Sequence, residues 1–151
     1  MIMIRKNSLG GLALMVLSPL SMAKTYYADV QVSHLQPAKD QAVWIRENPA
    51  TPKYPLALAK AGVRGCAVYS FDIAQDGDIE NIELVSAIPN KALPTETKKL
   101  LKSWRWQVAN NQQAVLEHKV IRLDFCMGGD TIEQAQQQCI AQSRLACSAN
   151  G

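Results

Sequence analysis

The sequence predicts an α+β domain, a three-stranded antiparallel sheet with two helices on one face, followed by a C-terminal helical tail. Three observations carry this reading. Cys66 to Ile73 alternate, with Ala67, Tyr69, Phe71 and Ile73 on one face and Cys66, Val68, Ser70 and Asp72 on the other. Gln75-Asp76-Gly77-Asp78 follows with turn chemistry, Gly77 being free to take a positive φ. Leu93, Thr97, Leu100, Leu101 and Trp104 then recur at spacings of three and four, the period of a helix buried along one side.

The remaining elements follow from local signals. Pro55 suits a first helical position, Leu56 to Ala61 are good helix formers, and Gly62 stops them. Ile79 to Val85 returns from the turn as a second strand diluted by Glu80, Asn81 and Glu83, with Ile82 and Leu84 sharing the buried face. The second helix is expected over Pro94 to Trp106, its Glu96, Lys98, Lys99, Lys102 and Arg105 forming a solvated face. Lys119 to Cys126 is the third strand, with Ile121, Leu123 and Phe125 inward and Val120, Arg122, Asp124 and Cys126 outward. Lys24 to Pro49 reads poorly: Tyr26 to Val32 contains β-formers, and Trp44 is a candidate hydrophobic peg.

The N-terminus carries an export signal. Arg5 and Lys6 precede the apolar run Leu9 to Leu17, and Ser21-Met22-Ala23 places small residues where cleavage requires them. Only 17 residues separate Lys6 from Lys24, including Pro19 and three serines, short of the roughly 20 needed to span a bilayer. The expected division is a signal peptide over 1–23, a leader over 24–48, a domain over 49–127 and a disulfide-bearing tail over 128–151, with the mature chain free of stable membrane insertion. From Lys24 onward 14 basic residues face 13 acidic ones, a net charge of +1 that argues against nucleic acid as a partner.

Export changes the meaning of Cys66, Cys126, Cys139 and Cys147. An even number of cysteines in an oxidising compartment reads as disulfides. Their gaps of 59, 12 and 7 residues match neither a zinc nor a C-x-x-C redox spacing, so no metal and no cofactor is expected. Pairing Cys66 with Cys126 would set Ala67 opposite Phe125, Tyr69 opposite Leu123 and Phe71 opposite Ile121, all on one face. That register favours Cys66–Cys126, leaving Cys139–Cys147 by elimination. An unbroken helix would hold residues 139 and 147 about 12 Å apart, beyond the roughly 7 Å limit for a disulfide, so that pair can form only if the tail helix bends or ends between them, near Ser143; otherwise the pairing scheme is wrong. Gly128-Gly129 would let that tail swing back across the outer face of the sheet.

Taken together, Pro52-Lys53-Tyr54-Pro55, the Ala-rich short helix, Gly62 and Gly65, then Phe71-Asp72-Ile73, Asp76-Gly77-Asp78, Asn81, Val85-Ser86 and Trp104-Arg105-Trp106, form an ordered pattern. It resembles the TonB C-terminal domain family from about Pro49 to Met127. The resemblance implies a periplasmic domain of a Gram-negative bacterium, carried in relatives on an inner-membrane anchor and a long proline-rich spacer. It also implies contact with outer-membrane receptors through the Tyr-Pro segment and an edge strand, which here means Lys53, Tyr54 and Pro55. This chain is expected to depart from the family by lacking a retained anchor and long spacer and by adding the cysteine-bearing tail.

Catalysis is not expected. Asp72, Asp76 and Asp78 cluster at a hairpin end where Asp is a common turn residue. Ser70, His34 and His118 form no placed nucleophile and base. The expected function is a soluble periplasmic protein-binding module of an envelope transport system, accessory to TonB-type energy transduction. Its partner would be an envelope protein such as an outer-membrane receptor or transport component. The alternatives are a structural envelope protein that self-associates as a homodimer through sheet edges, and a small hydrolase.

Overall fold

The computed structural model describes residues 25–148; the signal peptide expected over 1–23 lies outside them. In chain order the elements are β1 (Ala28–Gln36), β2 (Trp44–Arg46), α1 (Leu56–Lys60), β3 (Gly65–Ile73), β4 (Ile79–Ile88), α2 (Ala92–Lys102), β5 (Trp106–Val108), β6 (Glu117–Met127) and α3 (Ile132–Gln142). The architecture is α+β with antiparallel sheets, as the alternation of Cys66 to Ile73 implies.

The main sheet has four strands rather than three, in the order β1-β6-β3-β4. Its extra member comes from the leader. Val30 and Val32 lie opposite Phe125 and Leu123 and face the same core, so this weakly apolar stretch gains a buried face that local sequence could not reveal. β2 and β5 form a separate two-stranded sheet. This shortens the second helix relative to expectation: α2 ends at Lys102 with Ser103 as its cap. Trp106 then enters β5, where its buried indole lies 5.7 Å from the ring of Phe71.

The core fills the space between the sheet and two helices on one of its faces. Leu58 of α1 and Leu93 and Leu101 of α2 join Ala67, Tyr69, Phe71 and Ile73 of β3 and Ile121, Leu123 and Phe125 of β6. Buried Thr97 satisfies its hydroxyl by donating to the Leu93 carbonyl at 2.8 Å. Lys99 and Lys102 occupy the last turn of α2, where cations suit the helix dipole. Gly77 takes φ +91° in the hairpin turn and packs close to the ring of Trp44.

The second hairpin strand departs from plain alternation. Irregularities between Ser70 and Asp72 and between Val68 and Tyr69 insert extra residues into β4, with Asn81 at φ +52°. Ile79 and Ile82 still reach the core, but Leu84, although it lies opposite the core residue Tyr69, is exposed rather than buried.

β3 and β6 pair two residues away from the expected register: Cys66 lies opposite Asp124, and Ala67, Tyr69 and Val68 lie opposite Leu123, Ile121 and Arg122. A shift of two preserves every side chain's face, so the buried rows are as expected while Cys66 no longer meets Cys126. The disulfides are Cys66–Cys147 and Cys126–Cys139 instead of Cys66–Cys126 and Cys139–Cys147. α3 ends at Gln142 with Ser143 as its cap, but Cys139 and Cys147 do not pair with each other: each sheet cysteine takes its partner from the tail. Thr131 caps α3 by accepting from the Gln134 N–H.

The tail therefore lies across the outer face of the sheet. Arg122 and Asp124, expected on an outward face, are covered by it. The Arg122 guanidinium donates twice to the Asp124 carboxylate, at 2.9 and 2.8 Å, and also to the carbonyls of Gln142 and Leu145 at the C-terminal end of α3. Gln142 Nε2 bridges Asp124 Oδ1 and the Gly65 carbonyl. A buried ion pair needs such further partners to offset its desolvation.

Peptide mapping without reductant is expected to recover Cys66 linked to Cys147 and Cys126 linked to Cys139. Replacing Cys66 and Cys147 together with Ser should lower unfolding free energy by about 2–5 kcal/mol, and by more than the Cys126/Cys139 double replacement, because the longer loop loses more chain entropy when closed. Linkage of Cys66 to Cys126 would contradict the register.

Candidate partner-binding surface

The Tyr-Pro segment is built around α1. Pro55 caps the helix with φ −59°. At the other end the Gly62 N–H donates to Ala59 and the Val63 N–H to Leu58, with Gly62 at φ +63°, the bonding pattern of a glycine-terminated helix. Tyr54 joins the two ends: its hydroxyl donates to the Val63 carbonyl at 2.7 Å, and its ring meets Phe125 edge-on at 5.6 Å. Burial pushes the Tyr54 phenol up to about 12, with the Arg64 charge opposing it. Tyr54 is thus a half-buried latch, whereas Lys53 beside it is exposed.

Upstream lies an ordered connecting loop. Arg46 donates to the carbonyls of Pro49 and Ala50, at 3.2 and 2.9 Å, and stacks over Trp104 at 4.5 Å. The Asn48 side chain accepts from the Ala50 N–H. Below it, Glu117 fastens β2 to β6: its carboxylate accepts from the N–H groups of Val43 and Trp44 and lies 2.6 Å from Lys119 Nζ. Trp44 is the expected hydrophobic peg, 4% exposed, with its indole N–H donating to the Val115 carbonyl at 2.7 Å.

Two surface grooves flank this loop. One, of about 520 Å³, runs past Lys53, Asn48, Leu100 and Trp104. The other, of about 480 Å³, runs between β1 and the loop, lined by Val30, Val32, His34 and Ile45 among others. Arg46, Glu47, Thr51 and Pro52 border both. Of the sequence-predicted contact residues, Lys53 lines a groove, Pro55 starts α1 and Tyr54 points inward. The Arg46–Trp104 stack and the β1 groove were not anticipated; the Trp104-Arg105-Trp106 run was the signal closest to the first.

Two of the hairpin carboxylates, Asp72 and Asp76, are engaged locally. Asp72 accepts from Asn81 at 2.8 Å and lies 2.7 Å from His118 Nδ1, and these two hydrogen bonds hold it below the usual carboxylate value. Asp76 accepts from the Asp78 N–H within the turn. Among the described residues there is no group of His, Cys, Asp or Glu able to hold a metal ion, and no helix long and apolar enough to cross a membrane.

Residues 50–126 match the family model of the Gram-negative bacterial TonB protein C-terminal region. The chain belongs to the TonB C-terminal family. It is similar to protein TonB of Yersinia enterocolitica, 27% identical over 54% of this chain and 30% of that protein. It is also similar to TonB of Escherichia coli K12, 25% identical over 53% of this chain and 32% of that protein, and to TonB of Klebsiella pneumoniae, 32% identical over 37% and 23%. The similarity thus spans about a third or less of those relatives' length. The solution NMR structure of the Pseudomonas aeruginosa TonB CTD aligns at 20% identity and TM-score 0.38, over 60% of this chain and 87% of that one. The TonB match takes in α1, β3, β4, α2, β5 and nearly all of β6, while β1, β2 and α3 lie outside it.

Tyr54→Phe should lower stability by about 1 kcal/mol by leaving the Val63 carbonyl without its donor, whereas Tyr54→Ala should cost about 3–5 kcal/mol by opening a cavity beside Phe125. Because the folded phenol is held above its ordinary value, Tyr54 contributes fully below pH 10 and loses that contribution as the pH climbs towards about 12. Ultraviolet tyrosine titration should show one phenol ionising near pH 12 that disappears in Tyr54→Phe. Ionisation of every phenol near pH 10 would contradict the latch.

Proposed function

We propose that the mature chain is an exported, periplasmic protein-binding domain of an envelope transport system, non-catalytic and accessory to TonB-type energy transduction. The observation that carries this reading is the family match over residues 50–126, since relatives of that family named TonB belong to Gram-negative bacteria. The geometry supports it. Lys53 is exposed beside a groove, the Arg46–Pro52 loop is braced by its own hydrogen bonds, and, among the described residues, both outer strands of the main sheet, β1 and β4, have one unpaired edge. An extended segment of an outer-membrane receptor or another transport component would lie along such an edge, its backbone satisfied by strand addition and its side chains selected by the grooves. Lys53 and Pro55 would touch it directly, and Tyr54 through its ring, the hydroxyl being already committed to Val63.

A second reading has its own observation. Leu84, Val85 and Ile88 of edge strand β4 are exposed together, and an apolar edge invites a second copy to pair with it. In that case the chain would be a self-associating envelope protein.

The full-length chain, expressed in a Gram-negative host with a photoreactive amino acid in place of Lys53, distinguishes these readings. The expected result is a periplasmic product whose intact mass begins at Lys24 and which crosslinks to an outer-membrane or transport protein. Product retained in the membrane with residues 1–23 attached would overturn the export reading. Crosslinking to further copies of itself alone would favour the structural one.

A further inference from the structure

The unpaired edge of β1 deepens the partner-binding reading, and rests on it. β1 is hydrogen-bonded only to β6 within its sheet. In an antiparallel pair, alternate residues turn their N–H and C=O away from the neighbouring strand, so half of the backbone groups along β1 face outward. Among the described residues, no backbone hydrogen bond joins Val30–His34 to any segment other than β6. Val30, Gln31 and Val32 are consecutive, so their side chains alternate between faces, yet all three border one groove. The groove of about 480 Å³ therefore reaches the edge of the strand itself, with Ile45, Pro49 and Pro52 on its lining as well. A backbone rail facing apolar side chains is what an added extended strand requires.

Charge narrows the occupant. Among the described residues, His34, Lys39 and Arg46 line the groove against a single carboxylate, Glu47. His34 is held below its ordinary value first by burial and then by the nearby charges of Lys119, Lys39 and Arg46, with Glu117 opposing them. The other open edge differs in kind. β4 is interrupted by two bulges and exposes Glu80 and Glu83, features that blunt an edge and repel acidic segments.

We propose that the β1 groove accepts an extended acidic segment of a partner protein by strand addition, its carboxylates meeting Lys39 and Arg46. The acceptor strand lies outside the family-matched residues 50–126, so the site belongs to the part of the chain that the match leaves out.

The test uses the mature chain labelled with ¹⁵N and two eight-residue peptides, one alternating Val and Asp and the other alternating Val and Lys. The Val/Asp peptide should shift the amides of Val30 to His34 saturably and bind more tightly than the Val/Lys peptide. Lys39→Glu should weaken the Val/Asp peptide by about fivefold to tenfold, the size of a reversed rim charge, and should narrow or invert the preference. Equal affinity for both peptides, shifts confined to β4, or no binding at millimolar peptide would overturn the proposal. So would β1 shifts that grow with protein concentration in the absence of peptide, because the occupant would then be a second copy. Partner capture through residue 53 with no peptide effect at β1 removes this site while leaving the proposed function standing. Peptide binding at β1 with no captured envelope protein does the reverse.

Discussion

β6 is buried on both faces, and the rest of the molecule is arranged to make that tolerable. Ile121, Leu123 and Phe125 are fully covered on the side of α1 and α2. On the other side Arg122, Asp124 and Cys126 are also buried, and a charged pair in that position needs partners that water no longer supplies. The tail provides them. The carbonyl of Gln142, the last residue of α3, and that of Leu145 just beyond it converge on Arg122, and Gln142 turns its amide onto Asp124. The negative end of a helix facing a guanidinium is favourable in its own right. The two disulfides then fasten the tail at both ends, Cys139 in α3 to β6 and Cys147 beyond it to β3.

The same constraint accounts for β1. A strand buried on both faces would still present one unpaired edge if β3 were its only neighbour. β1 closes that edge, with Val30 on the core side and Asp29 covered on the side of α3. Burial raises the Asp29 carboxyl, opposed by its hydrogen bond from the Val30 backbone, as expected for a side chain pressed beneath the tail. The strand and the tail that the family match leaves out thus cooperate over the last strand of the matched region. Covering β6 transfers the open edge outward to β1, next to the braced loop that leads to Lys53 and Pro55.

The parts of this fold legible in the sequence were those whose signals are local. The alternation of Ala67 to Ile73, the Asp-Gly turn, the helix start at Pro55 and the stop at Gly62 each depend on a few neighbouring residues. What failed depended on distant partners. Parity identifies the face of a residue but is unchanged by a register slip of two, so Cys66 and Cys126 were correctly placed on one face and wrongly paired. Leu84 lies opposite the core residue Tyr69 yet stays exposed on the outer strand β4, because alternation reads the face of a residue and not whether a neighbour covers it. Trp106 fits a helical repeat, and only the partner strand β2 draws it into β5. The Tyr-Pro segment stands out by resemblance; that its tyrosine latches α1 through Val63 depends on how the folded chain brings the two together.

The whole arrangement depends on the leader forming a sheet strand bonded to β6 on one side and, among the described residues, open on the other. Residue-resolved amide hydrogen exchange tests it most directly. Alternating protection is expected from Ala28 to His34, with the amides directed at β6 slow and those facing the groove fast, beside continuous protection from Val120 to Cys126. Uniformly fast exchange throughout β1 would show that the leader is not part of the sheet. Uniformly slow exchange would show that its outer edge is already occupied.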